Sequence, residues 1–112
     1  MKTLTFKVAF LVGLLIASGA ACAMNYQIFD SKTVDKVGVQ SAQFYLALKE
    51  GFRSDITCLY GIAFMQIDNA YGKATYAHVL AAKLTGRKLT RIDIDQATPG
   101  GSCFITLVEI ND

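Results

Sequence analysis

The apolar pattern of this chain changes period twice, and that order of periods limits the fold more than any other feature. Residues 33–49 alternate, residues 57–67 are apolar on both faces, residues 70–85 follow helical spacing, and residues 88–110 return to strand-like patterns. A period of two sends alternate side chains to opposite faces of a strand, whereas neighbours on a helix recur every three or four residues. In residues 33–40, Val37 and Val39 share a face with Asp35, while Lys36 and Gly38 take the other. In residues 43–50, Phe44, Leu46 and Leu48 oppose Tyr45, Ala47 and Lys49, and the link around Ser41 reads as a tight turn or a bulge. Residues 50–55 break the pattern and read as a loop.

Residues 57–67 are apolar on both faces, as in a buried central strand. Gly61 within them predicts a bulge, a bend or the close approach of another backbone. Asp68 or Asn69 is a suitable helix N-cap, and Gly86 sits where a C-terminal capping glycine belongs. Ala77, Leu80, Ala81 and Leu84 form an apolar stripe at helical spacing, expected to pack on the barrel. Lys83, Arg87 and Lys88 complement the negative end of the helix dipole. In residues 88–95, Leu89 points with Arg91, Asp93 and Asp95, and Thr90, Ile92 and Ile94 point the other way. Thr98-Pro99-Gly100-Gly101 is a turn, and residues 102–110 form the last strand.

The expected class is therefore mainly β with one helix, in the order β-β-β-α-β-β. That is the order of a small five-stranded OB-type barrel, whose helix plugs the barrel between its third and fourth strands. Residues 24–31 read as an irregular arm or a short edge strand.

The N-terminus carries Lys2 and Lys7 without an acid, then an apolar run over residues 8–17, then Ala21-Cys22-Ala23. This is the layout of a secretory signal peptide, and the run is short for a membrane span. The expected organisation is a leader at 1–23 and one domain at 24–112, secreted or periplasmic. Processing as a lipoprotein at Cys22 is the rival reading, although Gly19-Ala20-Ala21-Cys22 lacks the large aliphatic residue expected three places upstream. The chain has a formal net charge of +2. Without Lys2 and Lys7, nine basic and nine acidic residues remain, so nothing favours nucleic acid or an acidic membrane as partner.

Cys58 and Cys103 remain as an even pair, which in an oxidising compartment forms a disulfide. Closing the loop between positions 58 and 103 contributes roughly 3–4 kcal/mol. In an OB-type barrel the third and fifth strands run parallel, and Cys58 and Cys103 would open them at the same end. The cysteines and the strand order thus lead independently to one arrangement.

The helix, its exit Thr85-Gly86-Arg87-Lys88, the alternating strand and Cys103 opening a final strand resemble small exported OB-type proteins. Among these are the pentameric B subunits of secreted bacterial toxins, of the subtilase-cytotoxin and pertussis-like kind. The resemblance covers about residues 58–110. It implies a glycan-binding homo-oligomer, a pentamer, that carries an enzymatic partner. No sugar-contacting residue is carried over from it.

No catalytic or cofactor motif occurs. His78 is the single histidine and has no acid on its helix to partner it in general base work. Metal binding would need further ligands, and the cysteines serve each other. Asp93 and Asp95 share a strand face and are expected to be solvated beside Arg91. Tyr26, Phe29, Tyr45, Tyr60, Tyr71 and Tyr76 fill a core or line a ligand surface. Tyr45 and Arg53 are the candidate ligand-binding residues, because an OB-type barrel binds through its open sheet face and flanking loops. Gly100-Gly101 lacks the helix and signature of a phosphate loop. The leading expectation is an exported, non-enzymatic module without cofactor, metal or stable membrane insertion, binding a glycan or protein surface. The alternative is a small periplasmic structural or inhibitor protein that binds another protein. A small hydrolase ranks last for want of a nucleophile–base pair.

Overall fold

Alternation becomes burial along Gln43–Leu48, where Phe44 and Leu46 are fully buried and Tyr45 and Ala47 are half-exposed. The computed structural model describes residues 24–111, so the proposed leader and Cys22 lie outside the described residues. Its strands are β1 (Met24–Ile28), β2 (Val34–Gln40), β3 (Gln43–Leu48), β4 (Ala63–Gln66), β5 (Leu89–Gln96) and β6 (Cys103–Ile110). Helix α1 (Ala70–Thr85) lies between β4 and β5, and a single 3-10 turn (Leu59–Gly61) precedes β4.

The sheet has six strands in the order β1-β5-β6-β4-β3-β2, all antiparallel except β4 beside β6. The expected five become six because the chain bends between β1 and β2. Its first half runs along β5, and its second half runs along β3. Of the two expectations for residues 24–31, the edge strand is the one found. At the bend, Lys32 and Leu89 exchange two backbone hydrogen bonds of 2.8 Å. No continuous ladder joins β2 to β5, so the sheet curls towards a barrel without closing. Ile28, Phe44, Leu46, Leu89, Ile92 and Ile94 fill its interior with exposures of 0–1%.

The Cys58–Cys103 disulfide is present, with Cα atoms 5.4 Å apart. The strand expected over 57–67 is shorter, however, and Cys58 precedes it. Tyr60 and Gly61 both adopt left-handed backbone (φ 60° and 68°), and two such residues in succession interrupt the strand. Gly61 is thus the site of a bend. The parallel register Ala63↔Cys103 still brings the two cysteines to the same end of neighbouring strands.

Helix α1 begins and ends as expected. The Asn69 side chain accepts from the Gly72 N–H at 2.7 Å, and Gly86 ends the helix at φ 73°. The buried face is a correction. Gly72, Thr75, Val79 and Ala82 face the sheet, whereas Ala77, Ala81 and Leu84 are exposed and Leu80 is half-buried. Close approach in the first turn selects Gly72. A Cβ on Gly72 would lie 1.8 Å from the Gln66 carbonyl oxygen, so the first turn abuts the end of β4 at backbone distance.

Strand β5 carries a second correction. The pairing slips between Leu89 and Arg91, leaving Thr90 as an extra residue. The bulge turns Leu89 inward with Ile92 and Ile94, away from the face expected for it.

Candidate functional site

The outer face of the sheet gathers residues from all six strands into one row. Cross-strand register pairs Gly38 with Tyr45, Tyr45 with Phe64, Phe64 with Phe104, Phe104 with Asp95, and Asp95 with Asn25. Pairing at one level of the pleat puts these side chains on one face, because strand side chains alternate strictly. The rings of Tyr45 and Phe64 are 6.4 Å apart, edge to face, and those of Phe64 and Phe104 are 6.4 Å apart and tilted. Tyr45 lies across Gly38, where a Cβ would meet its ring at 2.2 Å, so the glycine leaves room for the ring. The row ends in a polar pair, Asn25 Nδ2 donating to Asp95 Oδ1 at 2.7 Å. Phe104 is 45% exposed.

Beside Phe64 and Phe104 the start of α1 adds a rim. Gln66, Asn69 and Tyr71 join the two rings around an open pocket of about 220 Å³. Tyr71 Oη donates to the Thr106 carbonyl at 2.6 Å, which fixes that side chain at the edge. No charged side chain lines the pocket. Adjacent apolar rings beside carboxamides and a phenol suit a neutral ligand with one apolar face and several hydroxyls.

Of the two candidates from the sequence, the structure puts Tyr45 in the row and Arg53 elsewhere. Arg53 stacks over the Tyr26 ring at 5.2 Å and holds Asp55 with two hydrogen bonds, Nε to Oδ1 at 2.5 Å and Nη2 to Oδ2 at 3.0 Å. The guanidinium donation holds the Asp55 carboxyl below its usual range. Arg53 therefore braces its own loop. Phe64 and Phe104 were missed, and the signal that could have found them is their place in segments apolar on both faces. When one face of such a strand fills the core, the other is left exposed.

The remaining candidates separate. Tyr76 stacks on Phe44 in the core at 5.1 Å. Asp93 departs from the expected solvated face: it is buried to 6% exposure and takes two hydrogen bonds from Arg91, at 3.0 and 2.9 Å. Arg91 in turn lies over Phe29 at 4.8 Å, within the bend between β1 and β2. Asp95 pairs with Asn25, so the two carboxylates do not form a unit. His78 is exposed and borders a second pocket with Glu109 and Asn111. Among the described residues no three His, Cys, Asp or Glu side chains gather to hold a metal.

No protein-family model and no curated protein matches the chain. Among solved structures, the chain is similar to a cholera toxin-like B-subunit from Citrobacter freundii. The TM-score is 0.50 and the identity 14%, over 80% of this chain and 85% of that one. At that identity the likeness concerns the fold, which is that of a small OB-type toxin B subunit.

Proposed function

We propose that this chain is an exported, non-enzymatic binding subunit that holds a glycan on the outer face of its sheet. The observation that carries the reading is the row Tyr45–Phe64–Phe104 with its uncharged, carboxamide-rimmed pocket. Sugar rings present apolar C–H faces to aromatic rings and hydroxyls to carboxamides, which is the chemistry this pocket offers. Export is supported by the Cys58–Cys103 disulfide together with the leader-like residues 1–23. The likeness to a toxin-like B subunit supports binding rather than catalysis.

Assembly into a homo-oligomer belongs to the same reading. Strands β1 and β2 end the sheet with unpaired edges, which suit head-to-tail pairing of copies into a closed ring. Light scattering of the mature protein should give about five times the monomer mass. The binding site is tested on a glycan array with wild type, Phe104→Ser and Tyr45→Ala. Signal should be lost in Phe104→Ser while its circular dichroism and melting stay those of wild type. Binding by both variants equal to wild type, or no glycan bound by wild type, would remove the reading and leave the protein-binding alternative.

A further inference from the structure

We infer that the Leu59–Tyr60 tip inserts into the interface of a neutral lipid bilayer. Tyr60 is 83% exposed and Leu59 41%, side by side in the 3-10 turn ahead of β4. Tyr60 holds left-handed backbone (φ 60°, ψ 11°), a conformation that glycine adopts freely and an aromatic residue adopts at a cost. No contact of the Tyr60 side chain offsets that cost. The Tyr60 side chain makes no hydrogen bond or ring contact with the described residues. Strain kept at an exposed aromatic residue points to a contact outside the chain.

The tip is rigid. The Gly61 N–H donates to the Cys58 carbonyl at 2.8 Å, and the Leu59 N–H donates to the Gly101 carbonyl at 3.0 Å. The buried Gln96 side chain donates to the carbonyls of Thr57 at 2.8 Å and Gly101 at 3.1 Å. The disulfide fixes Cys58 to Cys103 behind the turn. A tip held in this way loses little freedom on contact.

Charge selects the occupant. Between Asp55 and Asp68, and again between Asp95 and Glu109, the chain carries no charged side chain. The tip and the neighbouring loop at 97–102 therefore approach a surface without stripping water from an ion. A tip with no basic residue has no attraction for anionic headgroups. Leucine favours the acyl boundary and tyrosine the headgroup level, so a zwitterionic bilayer fits both. Among the described residues no helix is long and apolar enough to cross a membrane, and the inferred contact involves the tip alone.

The chain has no tryptophan, so Tyr60→Trp places a single reporter at the tip. Its emission should shift to the blue with phosphatidylcholine vesicles free of glycolipid. Adding Leu59→Ser should weaken vesicle binding about tenfold. Adding Phe104→Ser instead should leave the shift intact, which separates this contact from glycan binding on the sheet. Tyr60→Gly should melt higher than wild type and lose vesicle binding. Emission unchanged at saturating lipid would overturn the inference. So would a shift abolished by Phe104→Ser, a lower melting point in Tyr60→Gly, or a blue shift that grows with protein concentration without lipid, which would assign the tip to a second copy.

Discussion

The two sides of the sheet use charge in opposite ways. At the β1–β5 side, where the chain bends from one edge towards the other, ionic and polar pairs cluster. Arg91 holds Asp93 and stacks on Phe29, and Asn25 holds Asp95. Nearby, Glu50 takes hydrogen bonds from both the N–H and the hydroxyl of Thr33, each 2.8 Å. Along β4 and residues 103–108 of β6 there is no charge, and a disulfide, packed rings and backbone hydrogen bonds carry the structure. The difference is physical. A bend in an edge strand leaves backbone groups without ladder partners, and side-chain polar groups can satisfy them. An uncharged surface can be covered without desolvating an ion.

Removing the covalent tie on the uncharged side should have the largest effect. Cys103→Ala is expected to cost about 2–5 kcal/mol in urea unfolding. A smaller loss than at the charged bend would invert the comparison. Val79→Ala, at the helix–sheet contact, should cost about 2 kcal/mol, while Leu84→Ala, on the exposed face, should cost nearly nothing. The reverse order would restore the stripe expected from the sequence. Asp93→Asn should cost about 1–3 kcal/mol, because it leaves the half-buried Arg91 without its carboxylate partner.

The smallest effect belongs to Glu50. The Thr33 N–H and then its hydroxyl hold the Glu50 carboxyl at about 2, below its usual 4.5. A folded pKa below the unfolded one means stability that is complete above pH 4.5 and lost as pH falls towards 2. Glu50→Gln should flatten the acid limb of a melting-temperature profile and leave neutral pH almost unchanged. An unaltered limb would show that the bend does not depend on this bond.

The helix illustrates why a pattern can be read and its orientation missed. Asn69 and Gly86 mark its ends through local chemistry, which a sequence displays. The stripe Ala77–Leu80–Ala81–Leu84 is the more apolar one, yet the helix turns Gly72, Thr75, Val79 and Ala82 to the sheet. Distance decided this, since backbone contact at Gly72 admits only small side chains over the first turn. In the outer row of the sheet, Tyr45 was legible because its strand alternates. Phe64 and Phe104 were not, because their strands are apolar on both faces and the inner face is assigned only when a helix and a second strand cover it.

By itself the sequence determined the order of β2 to β6 around the helix, both helix ends, the Pro99–Gly100 turn and the Cys58–Cys103 pairing. Each of these depends on local backbone preference, on period, or on the chemistry of two thiols. Only the tertiary structure decided that residues 24–40 bend between two sheet edges, that Thr90 bulges to bury Leu89, and that six strands align one outer row. Those outcomes depend on register, and register is settled by contacts between segments far apart in the chain, where shifting one residue turns every side chain to the opposite face.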